Sequence, residues 1–239
     1  MYRLWLMAKV VWVALCKRST KAFYDGISPV YEAVFVDHIT HIEKIVDHLV
    51  RTFPEEKRCT VIDIGCGTGL VSKALSKEGF QVTGIDISFR SLQILKQGDP
   101  HLPAINGNAN SFPIQNHSIQ AIVCLGVWRH IPEPEKVLSE VCRVLHDGGC
   151  FLVGYFPPKL GGLFHLRRTR FGKLIACLYS KTLLLFGYYD VIHPDLEAQT
   201  LQLMRERFNY TSTITSGDDF HIILGSQPKD IGVKTTRFK

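Results

Sequence analysis

The central part of the chain alternates short apolar runs with segments in which apolar residues recur every three or four positions. The runs predict strands and the longer repeats predict helices, an alternation typical of βαβ units around a parallel sheet. We predict strands over 60–64, 81–86, 104–106, 119–125 and 150–156. We predict helices over 70–77, over 89–96, and from about residue 132 to a stop at Gly148-Gly149.

The stretch from 157 to 193 interrupts this alternation, because it is basic, aromatic and punctuated by glycines. After it the pattern predicts a helix over 194–208 and two strands, over 210–215 and 220–226. A connection as short as the one between these strands suits an antiparallel pair. The prediction is an α/β fold: a doubly wound, Rossmann-like, seven-stranded sheet, mostly parallel with one antiparallel strand, plus helical cap elements.

Composition fits a globular protein, with 46% hydrophobic and 21% charged residues among 239. The seven cysteines form no Cys-x-x-Cys pair, so we predict no metal site and expect reduced thiols in a cytoplasmic protein. No uncharged apolar run reaches 18 residues, so no membrane-spanning helix is predicted.

The N-terminal segment is both apolar and basic. Leu4 to Cys16 is apolar apart from Lys9, and no acidic residue occurs among the first 24. Such a helix can pack on its own domain or lie on a membrane surface. We favour packing on the domain, and peripheral contact with a membrane stays open.

Three glycines, Gly65, Gly67 and Gly69, follow the first predicted strand. Glycine has no Cβ, so a ligand can approach the backbone at this carboxyl edge of the sheet. The spacing differs from the Gly-x-Gly-x-x-Gly of dinucleotide sites, and no Gly-Lys-Ser/Thr of a phosphate loop follows. Asp63 would repel a pyrophosphate but can accept a hydrogen bond from an ammonium group. The motif therefore favours a ligand with a positive charge and no phosphate.

A second acid, Asp86, ends the second predicted strand. A carboxylate at this position can accept hydrogen bonds from both hydroxyls of a ribose. The two acids and the glycines together indicate a site for a sulfonium nucleoside.

These motifs resemble the class I S-adenosylmethionine-dependent methyltransferases, and within them the type 11 group that includes quinone-biosynthesis C-methyltransferases. The resemblance rests on 61–69 (Val-Ile-Asp-Ile-Gly-Cys-Gly-Thr-Gly), on 84–88 (Gly-Ile-Asp-Ile-Ser) and on the run 106–149. It covers residues 58–156 well. It implies a Rossmann-like methyltransferase domain over 56–239, with a substrate-cap insertion at about 157–193 and an N-terminal helical cap or lid over 1–55.

The resemblance implies S-adenosylmethionine as the cofactor and assigns its site residue by residue. The implied cofactor-binding residues are Asp63, Gly65, Cys66, Gly67, Thr68, Gly69, Asp86, Ile87, Asn108, Ala109, Leu125, Gly126, Tyr24 and Tyr31. Asn108 departs from the group, where Asp is usual, and keeps an acceptor oxygen without the charge. His130 matches a His-Ile/Val-Pro pattern and is our candidate general base, although a histidine that only lines the pocket is the favoured alternative.

The predicted substrate is a small lipophilic or aromatic, quinone-like molecule, because the insertion at 157–193 is unusually rich in apolar residues. His165, Tyr188 and Tyr189 are candidate substrate contacts within it. An RNA methyltransferase and a cofactor-binding protein without activity are the alternatives. Nucleic acid is disfavoured, since no Asn/Asp-Pro-Pro-Tyr/Phe follows the fourth strand and no Pro-Cys pair occurs. The sequence leaves the oligomeric state open.

Overall fold

A computed structural model describes residues 2–16, 19–34, 39–53, 59–155, 196–215 and 221–229. Its α-helices are α1 (Tyr2–Cys16), α2 (Thr20–Ile27), α3 (Tyr31–Val34), α4 (Ile39–Thr52), α5 (Leu70–Lys77), α6 (Phe89–Gly98), α7 (Pro134–Val144) and α8 (Leu196–Arg207). Its strands are β1 (Thr60–Ile64), β2 (Gln81–Asp86), β3 (Ala104–Asn106), β4 (Ile119–Leu125), β5 (Leu145–Tyr155), β6 (Phe208–Thr215) and β7 (His221–Pro228). Short 3-10 turns occupy Ser28–Val30 and Trp128–His130.

The strands form one seven-stranded sheet in the order β3-β2-β1-β4-β5-β7-β6. The strands from β3 to β5 pair in parallel, and β7 runs antiparallel to both of its neighbours. The predicted fold class is therefore confirmed. Because β1 lies between β2 and β4, the loops that leave these three strands meet at one edge of the sheet.

Alternation along the strands divides the core between the two faces of the sheet. Val61 faces a cluster built with α4 and α5, which also contains Leu49 and Leu75. Ile62 and Ile64 face the opposite cluster, which includes residues of α7 and α8. Helices on both faces explain why β1 and β4 are apolar along nearly their whole length.

The predicted end of α7 at Gly148-Gly149 is wrong. The helix ends at Val144, and Leu145 already has extended geometry (φ −66°, ψ 135°) and pairs with Ile119 of β4. Both glycines therefore lie inside β5, in the irregular stretch between the Leu145–Ile119 and Cys150–Ala121 pairs. A glycine pair in the sequence predicts the end of a helix, but pairing of Leu145 with β4 ends this helix earlier.

The N-terminal helices pack on the strand–helix domain. Helix α2 contacts α6 through Asp25, whose carboxylate accepts hydrogen bonds from the Ser88 hydroxyl (2.7 Å) and the Arg90 N–H (3.2 Å). A buried hydrogen bond of 2.7 Å joins the hydroxyls of Ser28 and Ser91. No helix in the described ranges is long and apolar enough to cross a bilayer. The predicted insertion at 157–193 lies outside these ranges.

Glycine at position 225 is a packing requirement of β7. A Cβ there would lie 2.6 Å from Phe208 and 2.7 Å from Met204, and both side chains are fully buried. We expect Gly225→Ala to lower the free energy of unfolding by about 1–3 kcal/mol, because the core has no room to relax. Urea unfolding, with the midpoint compared at constant slope, measures this change.

The matched control is Gly148→Ala in β5, where the nearest atom to an added Cβ is 3.9 Å away. We expect that substitution to change stability by less than about 0.5 kcal/mol. Equal midpoints for the two variants would contradict the packing argument.

Candidate active site

The loops after β1, β2 and β4 enclose a cavity of about 300 Å³ together with residues of α2, α3 and α4. Fourteen of the positions named from sequence meet at this cavity: Tyr24, Tyr31, Asp63, Gly65, Cys66, Gly67, Thr68, Asp86, Ile87, Asn108, Ala109, Leu125, Gly126 and His130. Gly69 is the exception among the predicted cofactor residues. The fold thus brings residues that are up to 106 positions apart in the sequence to one cavity.

The glycines of the first loop have different roles, which their spacing did not reveal. A Cβ at Gly67 or at Gly126 would meet no protein atom within 4 Å, so these two leave the cavity open. A Cβ at Gly65 would lie 2.1 Å from Val127, and one at Gly69 would lie 2.8 Å from Leu95. Each of the four has a positive φ, between 55° and 88°, which glycine adopts without strain. Gly69 is therefore needed for helix entry and packing, because it precedes α5 and lies away from the cavity.

Asp86 is held by the backbone of two loops. Its Oδ2 accepts a hydrogen bond from Gly67 N–H (2.8 Å) and its Oδ1 accepts one from Ser88 N–H (2.7 Å). Each oxygen keeps a second lone pair, so the carboxylate can still accept from a pair of ligand hydroxyls. Burial raises the pKa of Asp86, while the two backbone hydrogen bonds oppose that rise.

Asp63 is the more deeply buried acid, at 1% exposure. Burial raises the pKa of its carboxyl to about 7, the Ser72 hydroxyl (2.5 Å) lowers it, and the nearby charge of Asp86 raises it further. A carboxyl with this pKa changes charge near neutrality, and a cationic ligand would favour its ionised form. The cavity therefore contains an acid that can respond to ligand charge.

Thr68 and Cys66 are the other two side chains of the loop that follows β1. The hydroxyl of Thr68 is buried at the cavity without a hydrogen-bond partner, which leaves it ready for a ligand. Cys66 packs its sulfur against Gly84, where a Cβ would be 2.6 Å from Sγ. Burial raises the pKa of the Cys66 thiol, so it is an uncharged packing group.

The loop after β3 is fixed to the end of β2. Asn106 donates from Nδ2 to the carbonyls of Asp86 (3.0 Å) and Ile87 (3.1 Å). The Asn108 side-chain oxygen accepts from Asn110 N–H (3.0 Å), so this oxygen shapes its own loop and leaves the amide group to donate. The exposed Ile87 (42%) and Ala109 add an apolar surface beside it.

Aromatic side chains also line the cavity. The Tyr24 ring lies 5.8 Å from the His130 ring, edge to face, and 6.4 Å from the Tyr31 ring. Burial, and then the charge of Arg129, lower the pKa of His130 to about 3. Burial raises the pKa of Tyr31. The Tyr31 and His130 rings are therefore neutral near pH 7.

A hydrogen-bonded chain that the sequence did not reveal connects α2 to Asp86. Ser88 donates its N–H to Asp86 and its hydroxyl to Asp25, and the Ser88 oxygen accepts from Ser91 N–H (3.1 Å). Burial raises the pKa of Asp25, but hydrogen bonds from Lys21, Ser88 and the Arg90 N–H lower it more. The serine could be recognised as the N-cap of α6, whereas its contact 63 positions earlier in the chain had no local signal.

Other cavity residues were given no role from the sequence, although Ile131 and Pro132 belong to the His-Ile/Val-Pro pattern that marks His130. Most are apolar: Ile42, Val127, Ile131, Pro132 and Val137; Thr20 adds a hydroxyl from the start of α2. The predicted substrate contacts His165, Tyr188 and Tyr189 lie outside the described residues. Within the described ranges no group of three or more His, Cys, Asp or Glu side chains is placed to hold a metal ion.

Comparison with known proteins matches residues 62–153 to a family model described as a methyltransferase domain. The matched region runs from β1 to β5 and contains both acids and all four positive-φ glycines of the site.

Two curated relatives are similar to part of this chain. Demethylmenaquinone methyltransferase of Renibacterium salmoninarum is 27% identical over 63% of this chain and 64% of its own. A ubiquinone biosynthesis O-methyltransferase of Idiomarina loihiensis is 33% identical over 37% of this chain and 39% of its own. The chain thus aligns with less than two thirds of the length of either relative.

The fold is shared with solved methyltransferase structures. Magnesium protoporphyrin IX methyltransferase from Synechocystis PCC 6803, crystallised with bound S-adenosylmethionine, superposes with a TM-score of 0.55 at 17% identity, over 80% of each chain. The domain match, the relatives and this architecture agree with the motifs at the cavity. Residues 62–153 therefore match a methyltransferase domain, and the described chain shares the fold of such solved structures.

Proposed function

We propose that the protein transfers a methyl group from S-adenosylmethionine to a small, lipophilic, quinone-like molecule. One observation supports this most: the cavity combines open backbone at Gly67 and Gly126 with the carboxylates of Asp63 and Asp86. Among its lining residues in the described part of the chain there is no Lys or Arg. Such a site suits a cationic nucleoside and lacks a counterion for a phosphate.

The residues present fit this cofactor. Asp86 would accept hydrogen bonds from the ribose hydroxyls, and Ile87 would lie against the adenine ring. The open backbone at Gly67 and the buried Thr68 hydroxyl would receive the amino-acid part, with Asp63 near its ammonium group. When bound, S-adenosylmethionine supplies a methyl group on a sulfonium, which is a good leaving group.

The remaining task of the protein is to align the acceptor and to exclude water. In the transfer the methyl–sulfur bond breaks, a bond from the methyl carbon to the acceptor forms, and the sulfur keeps the electron pair. Tyr24, Tyr31 and His130 would form an aromatic wall for an apolar ring. An acceptor that must lose a proton would pass it to solvent or to a cavity base.

The names of the relatives support this acceptor class. One is a demethylmenaquinone methyltransferase and the other a ubiquinone biosynthesis O-methyltransferase. The apolar cavity residues, such as Ile131 and Val137, agree with an acceptor of that kind.

Labelled methyl transfer tests the proposal. We expect the protein to move label from S-adenosylmethionine into a quinone-containing lipid extract and not into RNA. Gly67→Arg should abolish both transfer and cofactor binding by calorimetry, because Gly67 lines the cavity and a Cβ there would enter open space that the ligand needs.

Gly79→Ala is the matched control, since Gly79 also has a positive φ (86°) but lies in the turn between α5 and β2. It also places a side chain at a positive-φ glycine, but away from the cavity, and should retain binding. Label found in RNA would overturn the acceptor class, and unaltered binding in Gly67→Arg would overturn the cofactor site.

Cofactor binding should depend on pH through Asp63. Its carboxyl, with a pKa of about 7, is mostly protonated at pH 6 and mostly ionised at pH 8. A cationic ligand favours the ionised form, so affinity should rise with pH over this range and binding near pH 7 should release a proton. Calorimetry in buffers of different ionisation enthalpy counts that proton.

Asp63→Asn provides the comparison, because the titration of the ligand's own amino group is common to both proteins. On binding the ligand, the wild type should release more protons than the variant, and the difference should be the proton that Asp63 loses. Identical proton release in the two proteins would exclude Asp63 as the responding group.

The low pKa of His130 predicts that it is not the general base. At about 3 its conjugate acid is too strong for efficient proton abstraction near neutrality. His130→Gln should therefore lower kcat by less than about tenfold and leave the pH–rate profile unchanged, whereas loss of a general base costs about 10²–10⁴-fold. Steady-state rates across pH 5.5–9, with the acceptor saturating, distinguish the two roles.

A further inference from the structure

Helix α1 carries two strongly exposed tryptophans on one face. Trp5 is 56% exposed and Trp12 is 63% exposed. With 3.6 residues per turn, positions seven apart share a face and lie about 10 Å apart along the axis. Single exposed apolar residues are ordinary, but a pair aligned on one helix forms a larger apolar surface of the kind that binds other molecules.

A cation lies over the first of these rings. Lys9 is one turn from Trp5, and its Nζ lies 5.5 Å from the centre of the Trp5 ring, within cation–π range. We call Trp5, Lys9 and Trp12 the aromatic face of α1. This face combines flat amphipathic rings with a positive charge.

The buried side of α1, which lies about 100° around the helix from the tryptophans, fixes the direction in which this face points. Leu6, Val10 and Val13 are buried, at 1–2% exposure. Val13 packs against Gly26 of α2 so closely that a Cβ on the glycine would lie 2.5 Å from Cγ1. The helix is therefore anchored by its apolar side, and the tryptophans remain outside because the packing places them there.

We propose that the aromatic face of α1 docks on the surface of an anionic lipid bilayer. Tryptophan favours the boundary between headgroups and acyl chains, where its ring is buried and its N–H stays hydrated. Basic residues near such a surface are attracted by anionic headgroups. No acidic residue precedes Asp25, and the basic residues of that segment are Arg3, Lys9, Lys17, Arg18 and Lys21.

The length of the helix agrees with lying on the bilayer. At 15 residues α1 is about 22 Å long, which is short of the roughly 30 Å hydrocarbon core. An interfacial helix needs only an apolar face and basic flanks. Docking through two rings therefore accounts for the exposure pattern without insertion across the membrane.

Docking would place the cavity close to the lipid. Helix α1 ends at Cys16, and Thr20, four positions later, lines the cavity. That length of chain spans at most about 15 Å. A lipophilic molecule dissolved in the bilayer would then be near the cavity. The docking itself does not depend on methyl transfer, and its test measures binding alone.

Sedimentation with vesicles tests the proposal on the full chain. We expect binding to phosphatidylcholine vesicles that contain phosphatidylglycerol, and about tenfold weaker binding after Trp5→Ser and Trp12→Ser together. Lys9→Glu should weaken binding at least about fivefold on the anionic vesicles and much less on pure phosphatidylcholine. The control is Tyr210→Ser, which removes a ring of similar exposure (64%) on β6 and should leave binding unchanged.

Fluorescence identifies the contacting rings, because the chain has three tryptophans and the third, Trp128, is buried at 2% exposure. Lipids with brominated acyl chains should quench the wild type but not the Trp5→Ser/Trp12→Ser variant, in which Trp128 alone emits. Unchanged thermal midpoints would show that the variants are folded. Equal vesicle binding by wild type and double variant would overturn the proposal, as would a wild-type dimer that the double variant abolishes while neither binds vesicles.

Discussion

The turn that follows β1 is the constraint on which the site depends. The N–H groups of Gly65 and Cys66 both donate to the Ile85 carbonyl, at 2.7 and 3.2 Å, so the turn is attached to the adjacent strand β2. Gly67 N–H then donates to Asp86, which fixes one acid directly against the open backbone. The loop and the acid are therefore a single unit: a shift in either would lose the hydrogen bond and change the shape of the cavity.

Hydrogen bonds through small side chains connect this loop and Asp86 to the N-terminal helices. Asp86 and Asp25 share Ser88 as a common donor, so the carboxylate in the cavity and the carboxylate on α2 are two hydrogen bonds apart. Tyr24 is next to Asp25 in the chain and contacts His130 across the cavity. The position of the aromatic wall is thus coupled to the position of the acid by short, direct contacts, with no need for a long-range mechanism.

The sequence predicted the parts whose signal is local. Strands β1 to β4 and the loop 65–69 were predictable because a buried strand and a bare turn have composition signatures. The separate roles of Gly65, Gly67 and Gly69 were not, since they depend on Val127 and Leu95, which are distant in sequence. The end of α7 was missed for the same reason, because strand pairing with Ile119 decides it. The sequence did not predict the contacts between segments that lie far apart along the chain.

The charge of the cavity lining differs from the net charge of the chain. The chain has a net charge of +6, yet the lining of the cavity within the described residues contains two carboxylates, neutral rings and no Lys or Arg. A basic site would favour phosphates and repel a sulfonium, so basic residues in the cavity would weaken the binding of the proposed ligand. On the outside the net positive charge attracts anionic surfaces, and its range at physiological salt is only about 8 Å. Such a field acts at contact distance, which is where the tryptophans of α1 lie, and it therefore assists docking without opposing a cationic ligand inside.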